Sequence, residues 1–289
     1  MATWFLYLTT VFIWGTTWIA IKNQIGDVPA EASIFYRSFL ASLLLLGYCK
    51  IKKISLKFSL KNHGLLFLLG ACMFSLHYIF IYKSTSYLIS GLVSLIFSLV
   101  SLLNILNNYI VFKVRPTRWV IYGAIFGLCG IFLIFYKDLL NASFQDKILV
   151  GSILAFGGTV IFSIGNIISR LGYIRGLPLI PTTTLGICYG TLIMFIFILI
   201  TKVPFRVSYD PIYWIALGYL VIFGSIVGFL CYLSLIGKIG PEKAGYATIF
   251  FPIVALIFSF LFENYHWTQN GLLGVGMVIF GNYLVMKKK

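Results

Sequence analysis

The sequence predicts an all-α integral membrane protein whose ten transmembrane helices form two inverted five-helix repeats. Three observations carry that prediction. The 289 residues are 60% hydrophobic and 10% charged, with a mean hydropathy of +1.00, more apolar surface than a water-soluble core could hide. The apolar residues fall into runs close to the ~20 residues that cross a bilayer. The third observation is an echo: Trp14 to Lys22 reads W-G-T-T-W-I-A-I-K, and 148 residues later Phe162 to Arg170 reads F-S-I-G-N-I-I-S-R. Trp14 pairs with Phe162, Gly15 with Ser163, Trp18 with Asn166 and Lys22 with Arg170. Two halves built alike suggest a transporter whose pathway runs between the repeats.

The ten spans run roughly over 4–21, 32–49, 63–82, 87–112, 118–136, 148–169, 179–201, 211–235, 243–262 and 267–286. In the first, Trp14, Trp18 and Lys22 are four apart and form one stripe. Trp14 lies too deep for an interfacial aromatic belt. The second span carries Arg37 about two turns in, a depth where a charge needs water or a partner. The third holds His77 and Tyr78. A stripe of Ser94, Ser98, Ser101, Asn104 and Asn108 makes the fourth the most polar span. That stripe is expected to face a cavity, and the span to be bent or bipartite.

Gly123, Gly127 and Gly130 in the fifth span permit close helix approach. Gly274, Gly276 and Gly281 repeat the trait in the tenth, with Gly123 aligning on Gly274 and Gly130 on Gly281. These two spans are expected to pack or dimerise away from the pathway. The second half continues the replay: Pro181 precedes Tyr189 by eight, as Pro29 precedes Arg37, and Tyr232 matches Tyr78. Pro252 is expected to kink the ninth span; Ser98 is its counterpart in the fourth. Five spans per half is an odd number, so the second half must enter the membrane from the opposite face.

The net charge of +15 could suggest nucleic acid, but the positions of the charges argue otherwise. With the N-terminus in the cytoplasm, 15 of the 22 cations fall in inside loops or at the C-terminal end, and six of the seven acids fall outside. That is the positive-inside pattern, with both termini cytoplasmic. The organisation is then a first repeat over 1–137, a second over 148–286 and a basic tail over 287–289. No nucleic-acid partner is expected, because no basic face stands apart from the membrane edge. The cysteines, Cys49, Cys72, Cys129, Cys188 and Cys231, read as small buried hydrophobes. Asn141-Ala142-Ser143 matches a short glycosylation acceptor.

At W-G-T-T-W-I-A-I-K followed by P-A-E-A-S-I-F-Y-R, the chain resembles the drug/metabolite transporter superfamily, in its EamA-type ten-helix members. The resemblance rests on the mid-helix W-G, on an Arg early in the second helix (Arg37), on a proline in the ninth (Pro252) and on an acid at that helix's end (Glu263). It implies two inverted bundles around a central cavity lined by helices one, three, four, six, eight and nine. It also implies a fifth and tenth helix away from the pathway. The first repeat lacks the proline and the acid, and the second has Tyr189 in place of an Arg, so the halves are chemically unequal.

The expected activity is secondary transport of a small solute across the cell (inner) membrane, with no cofactor and no metal. Trp14, Trp18, His77, Tyr78, Asn104, Phe162, Asn166 and Tyr232 are the candidate lining residues, aromatics for apolar and cation-π surface and amides for orientation. Arg37, Glu263 and Lys22 are the candidate outer gate. No Walker motif is present, so ATP is not the energy source. The acids are scattered in outer loops, which argues against an intramembrane enzyme. A receptor or scaffold gains nothing from two-sided symmetry. A multidrug cation exporter would use a central carboxylate, whereas the charge within the membrane here is positive, through Arg37 and Lys22. A carboxylate-bearing solute such as an amino acid fits that sign. Membrane lipid is the other expected partner, and the assembly is a monomer or a homodimer.

Overall fold

The computed structural model describes residues 3–140, 147–245, 247–263 and 268–286. The basic tail 287–289 and Asn141-Ala142-Ser143 lie outside them. Every regular element within the described residues is a helix. That follows from the apolar composition: in hydrocarbon a backbone must satisfy its own hydrogen bonds, and a helix does so within one segment.

The elements are α1 (Thr3–Lys22), α2 (Ala30–Ile51), α3 (Leu60–Ala71), a π-helical turn at Cys72–Leu76, α4 (His77–Thr85), α5 (Ser90–Phe97) and α6 (Val100–Phe112). They continue with α7 (Arg118–Leu140), α8 (Lys147–Ile174), α9 (Leu179–Thr201), α10 (Pro211–Tyr219) and a second π-helical stretch at Leu220–Val227. The last three are α11 (Gly228–Ala244), α12 (Ala247–Phe262) and α13 (Gln269–Met286). Seven helical stretches among the described residues are long and apolar enough to cross a membrane. Shorter apolar stretches, Ile121–Ile134, Phe250–Phe262 and Gln269–Gly281, lie within α7, α12 and α13.

Local sequence sets the boundaries. Asp210 accepts from Ile212 N at 2.9 Å and Pro211 opens α10, a side-chain cap followed by a residue with no N–H to lose. Ser59 caps α3 through Asn62 N. Lys113 and Lys202 close α6 and α9 in the left-handed conformation. The polar fourth span is bipartite, as its sequence suggests. α5 ends and α6 begins at Ser98–Leu99, and the Ser98 hydroxyl turns back to Leu95 O at 2.6 Å. In α12 the helix continues through Pro252, the residue matching Ser98.

α1 is central, packed on α12, α11 and α5, while α8 covers α4 and α6, and α9 covers α2 and α3. α7 and α13 pack chiefly on each other, beside this body. Their contact is reciprocal. A Cβ on Gly130 would lie 2.5 Å from Gly274 O and one on Gly274 would lie 2.6 Å from Gly130 O. At the other end, a Cβ on Gly281 would lie 2.6 Å from Gly123 O. Exchanging each glycine for its repeat partner turns the Gly130·Gly274 contact into Gly281·Gly123.

Backbone lies against backbone at these three positions, so a methyl group has nowhere to go. Gly127 differs, because its Cβ would meet only Leu99 and Leu102 side chains at 3.5 and 3.6 Å. Gly130→Ala, Gly274→Ala and Gly281→Ala should each lower stability by about 1–3 kcal/mol, and Gly127→Ala by less than about 1 kcal/mol. Thermal unfolding in detergent checks the order; a melt at Gly281→Ala equal to that at Gly127→Ala would refute the close approach.

Candidate functional site

The π-helical stretches sit at matching places in the two halves, Cys72–Leu76 and Leu220–Val227. A π turn shifts the hydrogen-bond register and leaves a carbonyl to outside donors. Both stretches use this. His77 Nδ1 lies 3.0 Å from Cys72 O, which can only accept, so the neutral ring carries its proton on Nδ1. Trp14 Nε1 donates to Gly224 O at 3.4 Å.

Arg37 projects from α2 into the same region and is 3% exposed. Its Nε donates to Ser225 Oγ at 2.7 Å, and its guanidinium carbon stands 4.3 Å from the Tyr78 ring centroid. The missing side chain at Gly224 makes the approach feasible, since a Cβ there would lie 3.0 Å from Arg37 Nη2. Arg37, His77 and Tyr78 border a cavity of about 40 Å³ with Trp14, Trp18, Phe97, Phe162 and Phe229. Aromatic edges and faces close it: Trp14 lies 5.8 Å from Phe162 and 5.1 Å from Phe229, and Trp18 lies 5.3 Å from Phe97.

Three buried polar atoms at this cavity have no hydrogen-bond partner: Arg37 Nη1, Trp18 Nε1 and Tyr78 OH. Each can donate. Buried donors without acceptors are costly, and here the three residues that carry them line the same cavity. No carboxylate lines the cavity among the described residues.

The candidate lining residues therefore divide. Trp14, Trp18, His77, Tyr78 and Phe162 border the cavity, whereas Asn104, Asn166 and Tyr232 are engaged with one another beside it. Asn166 Nδ2 donates to Asn104 Oδ1 at 3.0 Å and to Tyr232 OH at 3.1 Å. Ser163 Oγ donates to Asn104 Oδ1 at 2.9 Å and accepts from Asn107 Nδ2 at 2.8 Å. Asn104 Nδ2 reaches Pro241 O at 3.2 Å, just beyond Gly240, where φ of 84° interrupts the helix. This network locks α6, α8 and α11 together. The serine stripe does not border the cavity either: the Ser94 hydroxyl bonds to Gly91 O within α5, and the Ser101 hydroxyl to Ser98 O at the break between α5 and α6.

The candidate gate residues are not brought together. Glu263 accepts from Ser90 N through both carboxylate oxygens at 3.1 Å, from the Ser90 hydroxyl, and from Ser259 Oγ at 2.5 Å. It caps the start of α5, whose free N–H groups favour an anion. Lys22 Nζ donates to Thr85 O at 2.7 Å, at the end of α4. Arg170, its repeat partner, does the same at α11 through Ile236 O and Gly237 O at 3.2 and 2.8 Å. Glu31 pairs with Lys83 at 3.1 Å. Tyr189, which stands in place of an arginine, meets His63 Nδ1 at 2.7 Å.

Ser225, Gly224 and Phe229 belong to the site and carried no signal in the sequence. The available clue was Gly224 and Gly228 spaced four apart in an otherwise bulky run. A bundle of long apolar helices around a small central cavity with buried donors is that of a multi-pass membrane transporter. Residues 1–136 and 149–287 match the model of the EamA-like transporter family, and the chain belongs to that family. It is 23% identical over 283 residues to YoaV of Bacillus subtilis strain 168, an uncharacterized transporter, covering 96% of this chain and 94% of that one. To YyaM of the same organism, also an uncharacterized transporter, it is 27% identical over 251 residues, covering 85% and 81%. A solved crystal structure shares the fold with a TM-score of 0.70 at 16% identity, covering 98% of this chain and 96% of that one. The protein is a multi-pass protein of the cell membrane.

The two tyrosines test the division of the site. Tyr232→Phe removes a hydrogen bond and should lower stability by about 1 kcal/mol. Tyr78→Phe deletes a hydroxyl without a partner and should be neutral or slightly stabilising. Detergent melts give the sign of each; a loss at Tyr78→Phe matching that at Tyr232→Phe would contradict the assignment.

Proposed function

We propose that the protein is a secondary transporter that moves a small carboxylate-bearing solute, such as an amino acid, by alternating access. Its ten crossings form two inverted halves, residues 1–137 and 148–286, with both termini in the cytoplasm. The observation that carries the substrate class is the set of three unpartnered donors, Arg37 Nη1, Trp18 Nε1 and Tyr78 OH, around a cavity with no carboxylate among its described residues. A carboxylate supplies the missing acceptors, and a guanidinium is suited to holding one. The aromatic shell takes the apolar part of the solute, and ring faces accommodate an ammonium. A cation exporter would place an acid where this protein places Arg37.

Inverted halves are supported by the reciprocal glycine contacts, by the matching π-helical stretches and by the mirrored roles of Lys22 and Arg170. Trp14 and Phe162, which correspond in the two halves, also touch. The cavity of about 40 Å³ has room for water but not for an amino acid. Solute uptake therefore requires one wall to move. On one side the wall is the Asn104–Asn166–Tyr232 lock; on the other it is the clamp of Glu263 on α5.

Arg37 takes a role in solute binding in this reading, and Glu263 and Lys22 hold helix ends. Proteoliposomes given labelled amino acids should show counterflow without an imposed ion gradient, because no carboxylate among the described residues lines the cavity to trade a proton. Arg37→Ala should lower apparent affinity roughly 10- to 100-fold, the worth of a charge-assisted hydrogen bond. A second change at Glu263 should not rescue it. Transport of organic cations with unchanged affinity in Arg37→Ala would overturn the substrate class.

Orientation has its own test. A cysteine at Lys57 should react with an impermeant thiol reagent only from the cytoplasm. One at Tyr209, which is 97% exposed, should react only from outside. Reaction of both from the same face would refute an odd number of crossings between them, the third to the seventh.

A further inference from the structure

The α7·α13 pair touches the body of the protein sparsely, and the gap is not filled by protein. A groove of about 370 Å³ runs between α6, α7 and α8. All its lining side chains are apolar, and Leu106, Ile121, Leu128 and Phe156 are exposed along it. A groove that opens on the hydrocarbon layer is filled by hydrocarbon, because water there would find no polar partner.

One end of the groove is marked by Pro116. Arg115 and Arg118 flank that proline, and Lys113 precedes them. All three cations are exposed, and none has an ion-pair partner among the described residues. An apolar slot ending in three unpaired cations matches the two parts of an anionic phospholipid. A second copy of this chain fits poorly, since a two-fold contact through this face would bring identical basic clusters together.

We propose that this groove is a binding site for one anionic phospholipid, with an acyl chain along α6 and α8 and the phosphate on Arg115 and Arg118. The two arginines suit a phosphate because their planar donor forks can bind it in pairs. The lipid would fill the gap between the α7·α13 pair and the body, where protein contact is thin.

Native mass spectrometry of the full-length protein, purified in detergent and supplied with equal phosphatidylglycerol and phosphatidylethanolamine of matched chains, tests this. The wild type should retain one phosphatidylglycerol with a preference of roughly fivefold or more over the zwitterionic lipid. Arg115→Gln with Arg118→Gln should bring that ratio to about one while lipid is still retained. Leu106→Trp fills the slot from an exposed position and should reduce retention of both lipids. Equal retention of the two lipids by the wild type, a preference that survives the double arginine change, or undiminished retention in Leu106→Trp would each overturn the proposal. A bound protein in place of lipid would overturn it too. None of these readouts involves the transported solute.

Discussion

A guanidinium held away from water without a carboxylate beside it constrains the centre of this protein. An arginine within a span costs up to about 2.5–3.5 kcal/mol on insertion scales, the figure for the helix centre. The structure offsets that cost only in part. Ser225 takes one donor, the Tyr78 ring faces the cation, and Gly224 leaves space for the rest. Nη1 remains unsatisfied. The π-helical stretch around Ser225, the glycines at 224 and 228 and the tilt of Trp14 toward Gly224 O are all arrangements that let α1, α2 and α10–α11 converge on this one group.

The same economy of helix ends recurs at the periphery. A helix terminus leaves four backbone groups without partners, and each long-range capping contact here joins two segments distant in sequence. Lys22 holds a carbonyl at the end of α4, Arg170 the Ile236 and Gly237 carbonyls just before the Gly240 break in α11, and Glu263 the N–H that begins α5. Each of these contacts ties one helix to another. Arg37 is different because its partner is a side-chain hydroxyl and one of its nitrogens is left over.

Much of this was legible in the sequence, for identifiable reasons. Trp14, Trp18, Tyr78 and Phe162 stand out in the sequence by depth or by repeat correspondence and His77 as a histidine within a span, and they border one cavity. The glycine faces of α7 and α13 were visible because close packing has few other solutions. Asn104, Asn166 and Tyr232 were grouped with the lining residues because a buried amide looks the same whether it faces a solute or another amide. Only the three-dimensional register separates the two. The π-helical stretches left no mark in composition, since they change hydrogen-bond spacing and not residue type. Ser225 is an ordinary serine until the extra residue in the turn points it at Arg37. The candidate gate residues Arg37 and Glu263 stand apart here, because proximity to one membrane face does not distinguish a side-chain partner from a helix end.

The glycine contact of α7 with α13 bears on the order of synthesis. α7 emerges from the ribosome with its small-residue face prepared for a partner that is translated six helices later. Until α13 arrives, that face can meet only lipid, and lipid fills the shallow spaces beside glycine poorly. The nascent protein therefore carries an open seam through the making of its second half. Shortening the interval, by supplying α13 as a separate peptide early, would close the seam before the second half is built.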